Sequence, residues 1–496
     1  MFIDVLQRPD RVTFLLDPAD DDAAELKGGV RLVRDRVDFR LPRRVDQIHP
    51  DLLALTAYLV AGPYTRRSLD LGWPVSQRFA EALASATRLV TASANEAVAP
   101  REVPDGVPGL CYSGGVDCTA ALTVMPSSTE LFFLERVAPW GQPWQGAYDK
   151  SAALAACAGA TAAGRQVHVV QTDLEYVRSP VGFPDHLSNA GPLVLLADES
   201  RLDAVAWGTI MESAYRIGAA GFADYAERPV YAGANELFAS VGLPLFNPVA
   251  GLSEVATSAI ALRSPYGEFS QSCMRGTVGE PCRSCWKCFR KSLLDSSLTG
   301  QWPDHAELDR MFDLKSVRPF IDAVPMKHEN VLTYATHRYP GDHELMQALR
   351  RRVRGDSLDV DWLTRHYPPA LDLVPDRYRA ATCEALEQHV APMSDADVAA
   401  FRAWEVGSLA SDPAVVTAAA DFVGKLDRHT QARQAAREAE KTARAEAAEA
   451  AKAAKAASAR ARRPEPVAPA AKRKRRSLVS RVRRRLRLRP SLRRQP

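Results

Sequence analysis

Between residues 107 and 207 the chain alternates strand-like and helix-like segments, a pattern that few architectures accept. Leu110-Cys111-Tyr112 closes an apolar run, and a helix follows from Asp117 until Pro126 stops it. Residues 131–137 are strand-like, 150–163 helical, 167–172 strand-like, 193–201 helical and 204–207 strand-like. Strands spaced by helices of this length predict an α/β fold, a parallel sheet with helices on both faces. Ligands of such sheets gather beyond the carboxyl ends of the strands. That rule places Glu135, Gln171, Thr172, Asp173, Gly208, Thr209 and Glu212 near a site, Asp173 and Glu212 being candidates for a direct role. His186 is expected to be a surface or capping residue.

The first strand-to-helix turn carries the strongest chemical signal. Ser113-Gly114-Gly115-Val116-Asp117-Cys118-Thr119 follows the strand directly. Consecutive glycines let backbone approach a ligand and turn successive N–H groups inward. The positive end of the helix dipole adds to this, so the turn suits a chain of phosphates. It is not a Walker loop, because the GxxxxGK[ST] spacing and its Lys are absent. A tight turn without a ligand is the plainer alternative.

Four of the eight cysteines crowd into sixteen positions as C-x8-C-x2-C-x2-C: Cys273, Cys282, Cys285 and Cys288. Four thiolates at this spacing suit tetrahedral Zn²⁺ with no open coordination position, hence a structural site. An iron–sulfur cluster or unligated thiols are the alternatives. Arg275, Arg283, Lys287 and Arg290 would offset the charge of the centre. The 282–288 knuckle should lead into a helix starting near Phe289.

The turn resembles the SGGxDS signature of the PP-loop ATP pyrophosphatases. That resemblance implies an adenine nucleotide alpha-hydrolase-like fold and ATP gripped through its β and γ phosphates by residues 113–119. It gives Asp117 a catalytic role in organising Mg²⁺ and Ser113 one at the phosphates. Cys118 stands where the family has its last serine, and a thiol is the weaker donor; Thr119 is the candidate to compensate. Together with the cysteine spacing, residues 107–294 resemble the 7-cyano-7-deazaguanine synthases, which turn a carboxylate into a nitrile with ATP and ammonia. The substrate side departs from that family. Residues 183–189 lack the Arg of its Pro-x-Arg-Asn motif, residues 208–225 contain no Asp-Cys-Arg, and Leu252-Ser253-Glu254 replaces Leu-Ser-Lys. The expectation is an adenylylating carbon–nitrogen ligase or synthase with a changed substrate. A nucleotide-binding scaffold and a tRNA-modifying enzyme are the other readings.

The flanks divide the chain further. Residues 1–104 mix short strand-like runs (12–16, 30–33) with a helical stretch over 76–93, an α+β extension to the 105–300 domain. Residues 301–426 are mostly helical and show no evident chemistry. Residues 427–463 are Ala and charged residues that cannot bury a core, so they form either a solvated helix or a disordered segment. A hinge at 464–469 precedes thirteen basic residues and no acid over 472–496, leaving residues 1–471 at −9 within a chain of net charge +4. This tail suits nucleic acid or an anionic membrane surface; Leu478, Val479, Val482 and Leu486 form a short apolar stripe, and no aromatic residue offers stacking. The start has an acid and no basic n-region and so does not read as a signal peptide, which makes the cytoplasm the expected location.

Overall fold

The computed structural model describes residues 1–461 except 23–24, 27 and 145–147. The basic tail and its apolar stripe lie outside the described residues. Residues Met1–Thr430 form one compact unit.

The N-terminal part contributes β1 (Phe2–Arg8), β2 (Arg11–Asp17), β3 (Glu25–Leu26), β4 (Val30–Leu32), β5 (Arg36–Arg40), α1 (Pro50–Ala61), β6 (Asp70–Leu71) and α2 (Gln77–Thr87). The alternating region then folds as β7 (Val107–Cys111), α3 (Val116–Val124), β8 (Glu130–Arg136), α4 (Ser151–Ala162), β9 (Val167–Thr172), β10 (Arg178–Ser179), α5 (Gly191–Leu195) and β11 (Leu202–Ala206). After it come α6 (Met211–Ala214), α7 (Pro229–Ser240), β12 (Leu245–Phe246), α8 (Glu254–Arg263) and α9 (Trp286–Thr299).

The main sheet has the order β12-β11-β7-β8-β9-β5-β2-β1-β6. From β12 to β9 every pair is parallel. Successive side chains of one strand point to opposite faces. Leu131 and Phe133 accordingly pack with α3, α4 and α8, whereas Phe132 and Leu134 pack with α1, α5 and α7. The expected layering is therefore present in a mostly parallel sheet.

The sheet is not purely parallel. β5 pairs antiparallel with β9, setting Phe39 opposite Thr172, and β5, β2 and β1 continue antiparallel. Residues 1–104 thus extend the sheet edge. Asp173 staples the junction, accepting from Asp38 N and Arg34 Nη1, each at 2.8 Å. The helix expected over 193–201 ends at Leu195. The backbone turns here with Arg201 at φ 49° and Leu202 N donating to Ala197 O at 2.8 Å. The Arg101 guanidinium fastens this turn, donating to Ala197 O at 3.0 Å and Leu202 O at 2.8 Å and pairing with Asp198 at 2.6 Å. Ala197 O is the carbonyl that a longer helix would offer to Arg201 N. Arg101→Ala would remove a charged anchor from Ala197 O, Leu202 O and Asp198, and urea denaturation should show a loss of about 3 kcal/mol.

Residues 301–426 are mostly helical, as expected, and pack on α6, α8 and α9 through Val331, Tyr334, Trp362 and Phe401. The last described helix, Pro413–Ala461, buries Val415, Phe422 and Leu426 early. The 433–459 stretch is almost entirely exposed, the solvated-helix alternative. Among the described residues no helix is long and apolar enough to cross a membrane.

Candidate functional site

Strand order places the site. The chain runs from β7 outward through β8 and β9, then returns to the other side of β7 as β11 and β12. At such a reversal neighbouring loops diverge and open a crevice. The β7–α3 turn and the residues after β11 meet there. Gly114 lies at φ +70°, and a Cβ on it would stand 2.6 Å from Ala156 Cβ. Gly115 is the N-cap of α3 in an extended conformation. Gly208 presses on the helix start, where a Cβ would be 2.7 Å from Cys118 N. A glycine is needed at 114 for conformation and at 208 for proximity.

A cleft of about 740 Å³ opens from this point, lined among others by Asp117, Gly208, Thr209, Arg228, Lys287 and Lys327. Asp117 Oδ1 accepts from Thr257 Oγ1 of α8 at 2.9 Å, which orients the carboxylate. Ser113 is exposed, with its Oγ 3.4 Å from Cys118 Sγ. The Cys118 thiol also reaches Cys111 O at 3.6 Å, and burial pushes its pKa up, so it remains a thiol. Thr119, the candidate to compensate for Cys118, is fully buried.

Of the residues placed near the site by strand position alone, Gly208 and Thr209 line the cleft; His186, expected at the surface, lines it as well. Glu135 instead pairs with Lys150 and accepts from Gln171 Nε2 at 3.1 Å. Thr172 caps a turn, Oγ1 accepting from Leu174 N, and Asp173 is the staple described above. Glu212 is buried below the cleft floor.

Glu254 is not a bare acid facing the loop. Ser253 caps α8, accepting from Val255 N and Ala256 N. Behind that cap, Glu254 is buried and pairs with Arg290 at 2.9 Å and Lys291 at 3.3 Å, both on α9. Burial opposes its charge, but Lys291 and Arg290, with His328 beyond them, hold its carboxyl well below the usual range. Cations thus reach the cleft from α9, not from α8. Lys327 and His328 come from the helical region that showed no evident chemistry. Nothing in the 301–426 sequence marks them, because long-range packing alone brings them to the cleft.

Glu212 receives Glu254 N on both oxygens at 3.0 Å and Asn330 Nδ2 at 2.8 Å. Burial, then the negative charge of Glu254, raise its pKa to about 7. The native state therefore binds this proton more tightly than the unfolded chain. Its stabilisation is present below the ordinary carboxylate pKa and is lost as pH rises through about 7. In urea titrations the stability of wild type relative to Glu212→Gln should fall between pH 5 and pH 8; a flat difference would contradict this.

The four cysteines converge as expected. Their sulfurs all lie within 4.8 Å of one another, and Cys282 and Cys288 are 3.7 Å apart. Zinc–sulfur bonds of about 2.3 Å in a tetrahedron imply edges of about 3.8 Å. Cys273 Sγ accepts from Cys282 N at 3.3 Å and Cys285 Sγ from Cys288 N at 3.5 Å, outer contacts that orient metal-binding thiolates. Gly276 makes the fold-back possible, since a Cβ there would strike Glu280 O. The following helix begins at Trp286 rather than near Phe289, so Cys288 sits inside its first turn. This cluster can hold a metal ion.

No curated protein and no solved structure matches the chain. A family described only as a family of unknown function (DUF6395) matches residues 233–405, a stretch that contains the cysteine cluster, Glu254 and His328 but not the 113–119 loop.

Proposed function

We propose that the protein is a PP-loop ATP pyrophosphatase that adenylylates a carboxylate or related oxygen, after which a nitrogen nucleophile displaces AMP. The observation that carries this reading is the Ser113–Thr119 loop at the sheet's switch point, with Gly208 packed on its helix start and Lys287, Arg290 and Lys327 around one cleft. N–H groups at the start of α3 and these cations would stabilise the departing pyrophosphate by preorganised electrostatics. Asp117 fits a Mg²⁺ role, being oriented by Thr257 and present in the cleft lining. Mg²⁺ would spread the developing phosphate charge. The acceptor oxygen attacks the α-phosphorus, and the bond to the β-phosphate oxygen breaks. In the second step the nitrogen bonds to the activated carbon and AMP leaves.

Zn²⁺ is the proposed occupant of the cysteine cluster, because four sulfurs close the tetrahedron and leave a structural role. A second reading, nucleotide binding without turnover, is favoured by Cys118 in place of a hydroxyl. Pyrophosphate release from ATP, screened with ammonia and a panel of carboxylates, separates the two.

A further inference from the structure

His328 is the most unusual residue of the cleft. Its backbone is left-handed at φ 58°, a conformation that costs a non-glycine residue energy. Such strain gathers where function needs a side chain held in place. Its N–H donates to Gly218 O at 2.7 Å, anchoring the strained position. The side chain is 17% exposed at the cleft, and its Nδ1 stands 3.6 Å from Glu254 Oε2 with no hydrogen-bond partner among the described residues.

We propose that His328 is the proton acceptor of this cleft, engaged only when a polyanion such as a phosphate chain occupies it. The surrounding charges make the case. Arg290 and Lys287 face the ring from α9, Lys327 precedes it in the chain, and Glu254 approaches from α8 with Glu212 behind it. Glu254 is already shared with Arg290 and Lys291, so the ring meets a net positive field. Burial, then Arg290, with Glu254 opposing, depress the imidazole to about 3, and it is neutral near pH 7. A bound phosphate chain would neutralise Lys287, Arg290 and Lys327 and restore its basicity. Under the adenylylation reading, on which this use rests, the proton comes from the attacking nitrogen after the polyanion has bound.

The test is calorimetric titration of the full chain with inorganic pyrophosphate and Mg²⁺ in two buffers of different ionisation enthalpy. Protons taken up are expressed per pyrophosphate bound, which removes any change in affinity. His328→Asn tolerates the left-handed backbone, His328→Gln is the alternative should that variant fail to fold, and the ligand's own titration cancels in the difference. If the ring returns to its ordinary value, wild type should take up about half a proton more than the variant at pH 6.5 and no more at pH 8.5. Equal uptake by both proteins at pH 6.5 overturns the role of His328 while leaving the phosphate site intact. Failure of wild type to bind pyrophosphate overturns the phosphate site and the proposal with it.

Discussion

Cys285→Ser will cost the protein most of its soluble yield, and wild type will carry close to one zinc per chain on elemental analysis. Cys285 does two things at once: it is the N-cap of α9 and one of four sulfurs within 4.8 Å of one another. A serine retains a cap acceptor but is a poor zinc ligand. Structural zinc contributes roughly 10 kcal/mol or more of apparent binding energy, comparable to the whole stability of a domain. The consequence reaches past the cluster, because α9 carries Lys287, Arg290 and Lys291 to the cleft and to Glu254. Chelation of wild type should therefore melt the 270–300 region and release the ion pairs of Glu254. Metal-free protein with an unchanged melting temperature would show that the four thiols stand without a metal.

Asp117→Ala is expected to lower pyrophosphate release by at least about 10²–10³-fold, some 3–4 kcal/mol of barrier. The side chain contributes little to folding: it is half-buried and accepts a hydrogen bond from Thr257 Oγ1. Near-normal stability together with lost turnover is thus the signature of a role at the phosphates. Unchanged ATP turnover in this variant would remove the loop from the chemistry.

Local signals made part of this protein legible. The β7–α3 turn, the strand at 167–172 and the four cysteines are all encoded by short-range pattern: glycines at a strand end, β-branched alternation, and thiols at knuckle spacing. Glu254 shows where such reading stops. Beside Leu252-Ser253 it stands where the resembled family has a lysine, yet the charge it pairs with comes from α9, some thirty-six residues on. Asp173 was a candidate ligand because it follows a strand; it is spent on joining β5 to β9, a pairing between segments far apart in sequence. Lys327 and His328 enter the cleft through packing of Val331 and Tyr334, which no local motif announces. The early end of α5 is also not locally announced: the turn that follows it is fastened by an arginine from residue 101.

The central claim is that the Ser113–Thr119 loop cleaves ATP between its α and β phosphates. Incubating the full chain with ATP, Mg²⁺, ammonia and a panel of carboxylates, and separating the nucleotides formed, tests it directly. The account predicts AMP and pyrophosphate in equal amounts, dependent on one class of acid and abolished by Asp117→Ala. ADP and orthophosphate as products, or no AMP with any acid from a zinc-replete protein, would contradict it.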